Sequence, residues 1–196
     1  MSLIDAIGKA AFSEMTRGAS AKTGVNESAV VALMPMATAV LMNGLKKNIS
    51  KPGGAQSLSK ALAKHDGGLL DNLGRTSDDD VMEDGRAILG HILGGKQQQT
   101  QSALAKAAGV DSDQIGNLLA MAAPAILAGL GKAQRQQGLD PNGLAEFVKH
   151  ETSKAQTQAP NELSGLLKWV DSDGDGRIDD DLAGLAAKGL SGLFKR

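Results

Sequence analysis

The chain has 196 residues, a net charge of −1, a pI near 6.3, 41% hydrophobic and 2% aromatic residues, and no cysteine. That length and apolar content support a real hydrophobic core, in one large domain or two small ones. The charge balance offers no global basic field for nucleic acid, the lack of tyrosine removes stacking platforms for single strands, and the lack of cysteine excludes disulfides, thiol nucleophiles and zinc–thiolate sites.

The first residues, Met1 to Ile7, lack the basic segment and small-residue cleavage site of a signal peptide, so the expectation is a cytoplasmic protein. Leu3 to Met15 reads as an amphipathic helix, with Leu3, Ile7, Ala11 and Met15 on one stripe and Ile4 and Phe12 beside it. Gly24-Val25-Asn26 then marks a turn and a helix cap. Ser28 to Leu45 is 18 residues without a formal charge and contains Pro35; Gln114 to Gly131 is a second such stretch, containing Pro124. Eighteen is the lower edge for a membrane span. Ser28, Thr38 and Asn43 in one stretch, and Gln114 and Asn117 in the other, dilute that signal, and the simpler reading is two central helices buried on all sides.

Between the two stretches, Asp78-Asp79-Asp80 reads as a helix cap on a solvated face. A helix through Ile88, Leu89, Ile92 and Leu93 follows, then Gly94-Gly95, then another helix from Gln97 to Ala107. Asp140-Pro141 is a good helix start, Asp as cap and Pro at the first helical position. Strand-like alternation of useful length is lacking, so the fold class is all-α.

The chain also repeats itself. At a constant offset of 85, Gly24-Val25 meets Gly109-Val110, Leu33 meets Leu118, Met36-Ala37 meets Met121-Ala122, Gly44-Leu45 meets Gly129-Leu130, Lys47 meets Lys132, Gly53 meets Gly138, and Lys64-His65 meets Lys149-His150. That makes 11 identities in 42 ungapped positions, and it defines two copies at about 24–65 and 109–150. Each copy reads as a cap, a long apolar helix, a glycine-containing turn and a shorter helix ending in Lys-His. The duplicated domain occupies residues 1–155; residues 156–196 form a helix, an Asp-rich loop and a C-terminal helix.

His65 and His150 are repeat-equivalent and stand at expected helix ends, where an imidazolium favours the helix dipole. A nucleophile elbow, a phosphate-binding glycine loop and a zinc-protease His-Glu-x-x-His are all missing from the sequence, so no catalytic residue is assigned and the expectation is a protein that is not an enzyme.

The strongest chemical signal is Asp171-Ser172-Asp173-Gly174-Asp175-Gly176-Arg177-Ile178-Asp179-Asp180-Asp181. Carboxylates at the first, third and fifth positions, a glycine at the sixth and an apolar residue at the eighth suit Ca²⁺, which takes 6–8 oxygen ligands. Asp171, Asp173 and Asp175 would each offer an oxygen and Arg177 its carbonyl. The twelfth position, where an EF-hand has a bidentate Glu, is Leu182, so Asp181, Asp179 or Asp180 must close the shell. Six aspartates against one arginine leave −5 over eleven residues, which repel one another unless a cation joins them. The bland alternative is a solvated acidic turn in which Asp180 or Asp181 caps the next helix. Before the loop, Pro160 suits a first helical turn, and Leu163, Leu166, Leu167 and Val170 share a face with Trp169 beside them; after it, residues 182–194 are helical in spacing but weakened by Gly184, Gly189 and Gly192.

The segment from Ile88-Leu89-Gly90-His91 through Gly94-Gly95-Lys96-Gln97-Gln98-Gln99, together with Leu118 to Pro124 and the Asp-rich loop running into Asp180-Asp181-Leu182, resembles the YidB-like bacterial family, also called domain of unknown function 937, over roughly residues 25–185. The resemblance implies a small all-helical fold, a bacterial origin and no assigned activity. That family's loop usually ends in a paired Asp-Asp, which falls here on Asp180-Asp181 or Asp179-Asp180. The functional expectation is a non-enzymatic structural or interaction protein, a homo-oligomer with a Ca²⁺ loop. Membrane association through the uncharged helices is the first alternative, and helical DNA binding, disfavoured by the charge balance, is a lesser one. Neither a nucleic-acid partner nor a small-molecule substrate is expected.

Overall fold

The structure is a computed structural model that describes residue 7 and residues 9–63 and 78–158. His65, the Asp-rich loop and the helices expected on either side of it lie outside the described residues. The described chain is helical: α1 (Lys9–Thr23), α2 (Glu27–Ile49), α3 (Gly54–Leu62), α4 (Asp78–Leu93), a 3₁₀ turn (Gly94–Lys96), α5 (Gln97–Ala108), α6 (Ser112–Gln137) and α7 (Pro141–Gln158). No strand occurs among the described residues, as the absence of alternation implies.

The boundaries follow local chemistry. At the end of α1, Gly24 takes φ +70, its N–H donates to the Ser20 carbonyl at 3.1 Å, and the Thr23 hydroxyl donates to Ala19 O at 2.7 Å. Asn26 caps α2, its Oδ1 accepting the Ala29 N–H at 2.8 Å. Two residues past the C-cap Ser50 comes Pro52, which has no N–H to extend the ladder and disfavours helical geometry at the residue before it. The chain then turns through Gly53 (φ +73) into α3. In the corresponding place α6 meets no proline and runs to Gln137, closing on Gly138 (φ +62) with Leu139 N–H donating to Gln134 O at 2.9 Å. Asp140 then caps α7, its Oδ1 accepting the Gly143 N–H at 2.7 Å.

α6 is the central element. From Leu118 to Gly131 every residue is buried, and α1, α2, α3, α4 and α5 all pack against it. α2 is the second core helix; it lies against α6 and is covered by α7 along its C-terminal half. The two charge-free stretches are thus neighbours in one core. Fully burying side chains such as Leu119, Ile126 and Leu130 stabilises the fold by about 1.5–3 kcal/mol each.

Small residues set how closely the helices approach. A Cβ on Gly44 of α2 would come within 2.6 Å of Ile92 Cγ2 on α4. Gly85 of α4 lies on the backbone of α6 so closely that a Cβ there would overlap the Ala120 carbonyl. That carbonyl is the one Pro124, four residues on, cannot serve with an N–H. The bare Cα of Gly85 fills the place and allows a Cα–H···O contact typical of tight helix pairs.

Two expectations need correction. The second copy's shorter helix does not end at Lys149-His150: nothing after His150 breaks the helix, and Glu151, Thr152 and Ala155 are buried, so α7 continues to Gln158. The N-terminal helix likewise does not stop near Met15 but continues to Thr23.

Two alanine substitutions in α4 separate close packing from helix propensity. Gly85→Ala should destabilise by about 1–3 kcal/mol through overpacking. Gly90→Ala, at an exposed helical position with no atom within 4 Å of its Cβ, should stabilise by about 0.5–1 kcal/mol. Urea denaturation midpoints check the two opposite signs.

Candidate functional site

The expected metal ligands, Asp171, Asp173, Asp175, Arg177, Asp179 and Asp181, lie outside the described residues. Among the described residues no group of three or more His, Cys, Asp or Glu is placed to hold a metal ion. His150 is mid-helix rather than at a helix end, largely exposed, with Nδ1 3.3 Å from Glu151 Oε1. This replaces the helix-dipole role expected for it. His91, in the last turn of α4, is exposed.

A surface cleft of about 500 Å³ opens where the C-terminal end of α2 and the first turns of α3 and α7 meet. Ile49, Ala55 and Ala145 form its apolar floor; Lys51, Gln56, Asn142, Glu146 and Lys149 supply its polar rim. The two ammonium groups are already engaged: Lys149 Nζ lies 2.7 Å from Glu146 Oε1, and Lys51 Nζ donates to Asn48 Oδ1 at 3.1 Å. Both pairs are local and solvated, worth little individually. The rim offers cations, amides and one carboxylate to a polar visitor, and its lining contains no histidine or hydroxyl nucleophile. Nothing in the sequence flagged this cleft, because its residues come from three elements far apart in the chain.

Polar side chains also tie the helices at their ends. Asn48 Nδ2 donates to the His91 and Ile92 carbonyls at 3.0 and 3.2 Å, closing the C-terminus of α4 from α2. Gln114 accepts the Asp111 N–H at 3.1 Å and donates to Thr23 O at 3.2 Å, joining the start of α6 to the end of α1. The single hydroxyl proton of Thr152 is shared between Val148 O at 2.6 Å and Met42 O at 3.2 Å, linking α7 to α2. The exception is Asn43: it is buried, and its Oδ1 has no hydrogen-bond partner among the described residues. At the offset of 85 its counterpart is Ala128. In the sequence Asn43 registers only as a polar interruption of an apolar run.

An all-helical protein with a charge-free central pair is the class these observations define. The chain belongs to the YidB-like family of bacterial proteins of unknown function, DUF937, which it matches over residues 5–133. The match starts nearer the N-terminus than the resemblance did and stops within α6, so the Asp-rich loop is not part of it. No curated protein and no solved structure matches the chain.

Asn43→Ala should stabilise the protein by about 1 kcal/mol, since an orphaned buried acceptor costs about 1–3 kcal/mol and Ala is the better helix former. Leu41→Ala, two residues away and fully buried, should cost about 2–5 kcal/mol. Urea midpoints at constant m-value read both.

Proposed function

We propose that the chain is a non-enzymatic structural or interaction protein, built on an internal duplication, self-associating, and equipped with a Ca²⁺-binding loop at residues 171–181. The observation that carries the duplication is a coincidence of boundaries. Shifted by 85, α1 (9–23) becomes 94–108, the span of the 3₁₀ turn plus α5; the start of α2 becomes that of α6; and the left-handed Gly24 and Gly53 become the left-handed Gly109 and Gly138. Two such units paired within one chain present helix faces suited to pairing with further copies. The glycine-rich segment 182–194 is the contact element we favour.

The Ca²⁺ reading rests on the Asp171-x-Asp173-x-Asp175-Gly176-Arg177-Ile178 pattern and the −5 charge of the loop. Asp171, Asp173, Asp175, the Arg177 carbonyl and Asp181 (or Asp179 or Asp180) would hold the ion at about 2.3–2.6 Å, and without a bidentate Glu the affinity would be about 10⁻⁵ to 10⁻³ M. Isothermal calorimetry should give a Ca²⁺-specific heat that Asp175→Ala abolishes; identical traces from both proteins would reduce the loop to an acidic helix cap. Size-exclusion chromatography with light scattering should give an oligomer that loses mass on deletion of residues 182–196, and an unchanged monomer would end the self-association reading.

A second reading, contact with membranes, is favoured by one observation: Glu27–Ile49 and Ser112–Gln137 are each long and apolar enough to cross a bilayer. Against it, 61% and 83% of their apolar stretches are buried within the protein. Co-pelleting with liposomes distinguishes the two readings.

A further inference from the structure

We propose that the N-terminal half of α2, around Val31, is a docking face whose occupant is residues 160–170 of the same chain. Val31 stands out among the described residues as a large apolar side chain left 49% exposed, on a helix whose Leu33, Met34 and Met36 are buried. It lies on the stripe that α7 covers further along. Ile49 shares the surface cleft with Ala145, and Thr152 donates to Met42 O, so seven residues back along α2 correspond to seven forward along α7. The two helices are antiparallel. Val31 is 18 positions before Ile49, five full turns at about 3.6 residues each, which places both on one azimuth.

Extended in that register, Gln158, the last residue of α7, comes level with about residue 36 of α2, and the axis of α7 points on toward Val31. Past Gln158 the sequence carries Leu163, Leu166, Leu167 and Val170, spaced as one apolar face with Trp169 beside it, few enough residues on to reach Val31. Backbone chemistry adds an opening on this face: Pro35 has no N–H for the Val31 carbonyl, just as Pro124 has none for that of Ala120. The proposal does not depend on ion binding.

Because the chain contains no cysteine, introduced pairs report docking without background. In the full chain, Val31→Cys combined in turn with Leu163→Cys, Leu166→Cys or Leu167→Cys, oxidised both in Ca²⁺ and in chelator, should give at least one intramolecular disulfide, seen as a faster-migrating monomer on non-reducing gels; a disulfide needs Cα atoms about 4.4–6.8 Å apart. Failure of all three pairs under both conditions overturns the proposal. So does cross-linking only between chains, which would assign the face to a second copy. Independently, Val31→Asp, at an exposed position that leaves the core intact, should move the emission of Trp169, the single tryptophan, to the red with unchanged helical circular dichroism. An unshifted spectrum also overturns it.

Discussion

A helix that is apolar on every face has to be covered on every face, and α6 imposes that demand on the rest of the molecule. From Leu118 to Gly131 it presents no polar stripe to water, so its neighbours must surround it. Small residues make this possible at helix–helix distances that larger side chains would forbid. Gly85 lets α4 lie directly on the Ala120 carbonyl, and Gly44 lets α2 receive Ile92. The proline within α6 therefore does not weaken it at random: it frees a carbonyl at the place where a glycine of another helix comes closest.

The covering is unequal, and the inequality follows from connection chemistry. Had the two proposed copies evolved in step, α2 and α6 would be equally enclosed. Instead α4 lies chiefly along α6 and touches α2 near Gly44, while α7 covers the C-terminal half of α2. Positions 120 and 123 of α6 are buried, whereas their counterparts at 35 and 38 in α2 are only partly so. The asymmetry extends to the helix ends, since Pro52 cuts α2 short where α6 proceeds to Gln137.

What was legible in the sequence was whatever depends on local chemistry or on a long, unmistakable pattern. The charge-free runs announced the two core helices, Asn26 and the Asp140-Pro141 pair announced helix starts, and Gly24, Gly109 and Gly138 announced turns that all take positive φ. Less legible was the length of α7, because Lys149-His150 looks like an ending only when basic residues are read as C-terminal charges. The burial of Glu151 and Thr152, the latter beside the Met42 carbonyl of α2, is a tertiary effect that no helical pattern reveals. The cleft was invisible for the same reason. The Asp-rich loop is the reverse case: its spacing is a strong chemical signal whose meaning stays with the sequence.

The core and membrane readings of α2 and α6 exclude one another on energetic grounds. Moving these helices into lipid would cost them little, since a bilayer interior is as apolar as the core they leave. The cost falls on the helices that cover them. α4 and α7 are one-sided: Ile88 and Leu89 on one, Leu144 and Val148 on the other, face the core while their opposite surfaces carry Glu83, Arg86, Glu146 and Lys149. Stripped of their partners, each of those buried side chains would return to water at about 1.5–3 kcal/mol. The tie from Asn48 to the end of α4 and the tie from Thr152 to α2 would be lost as well. A membrane-bound form would therefore need its own seat for α4 and α7, such as the lipid interface, and without one the covering helices hold the apolar pair inside the protein.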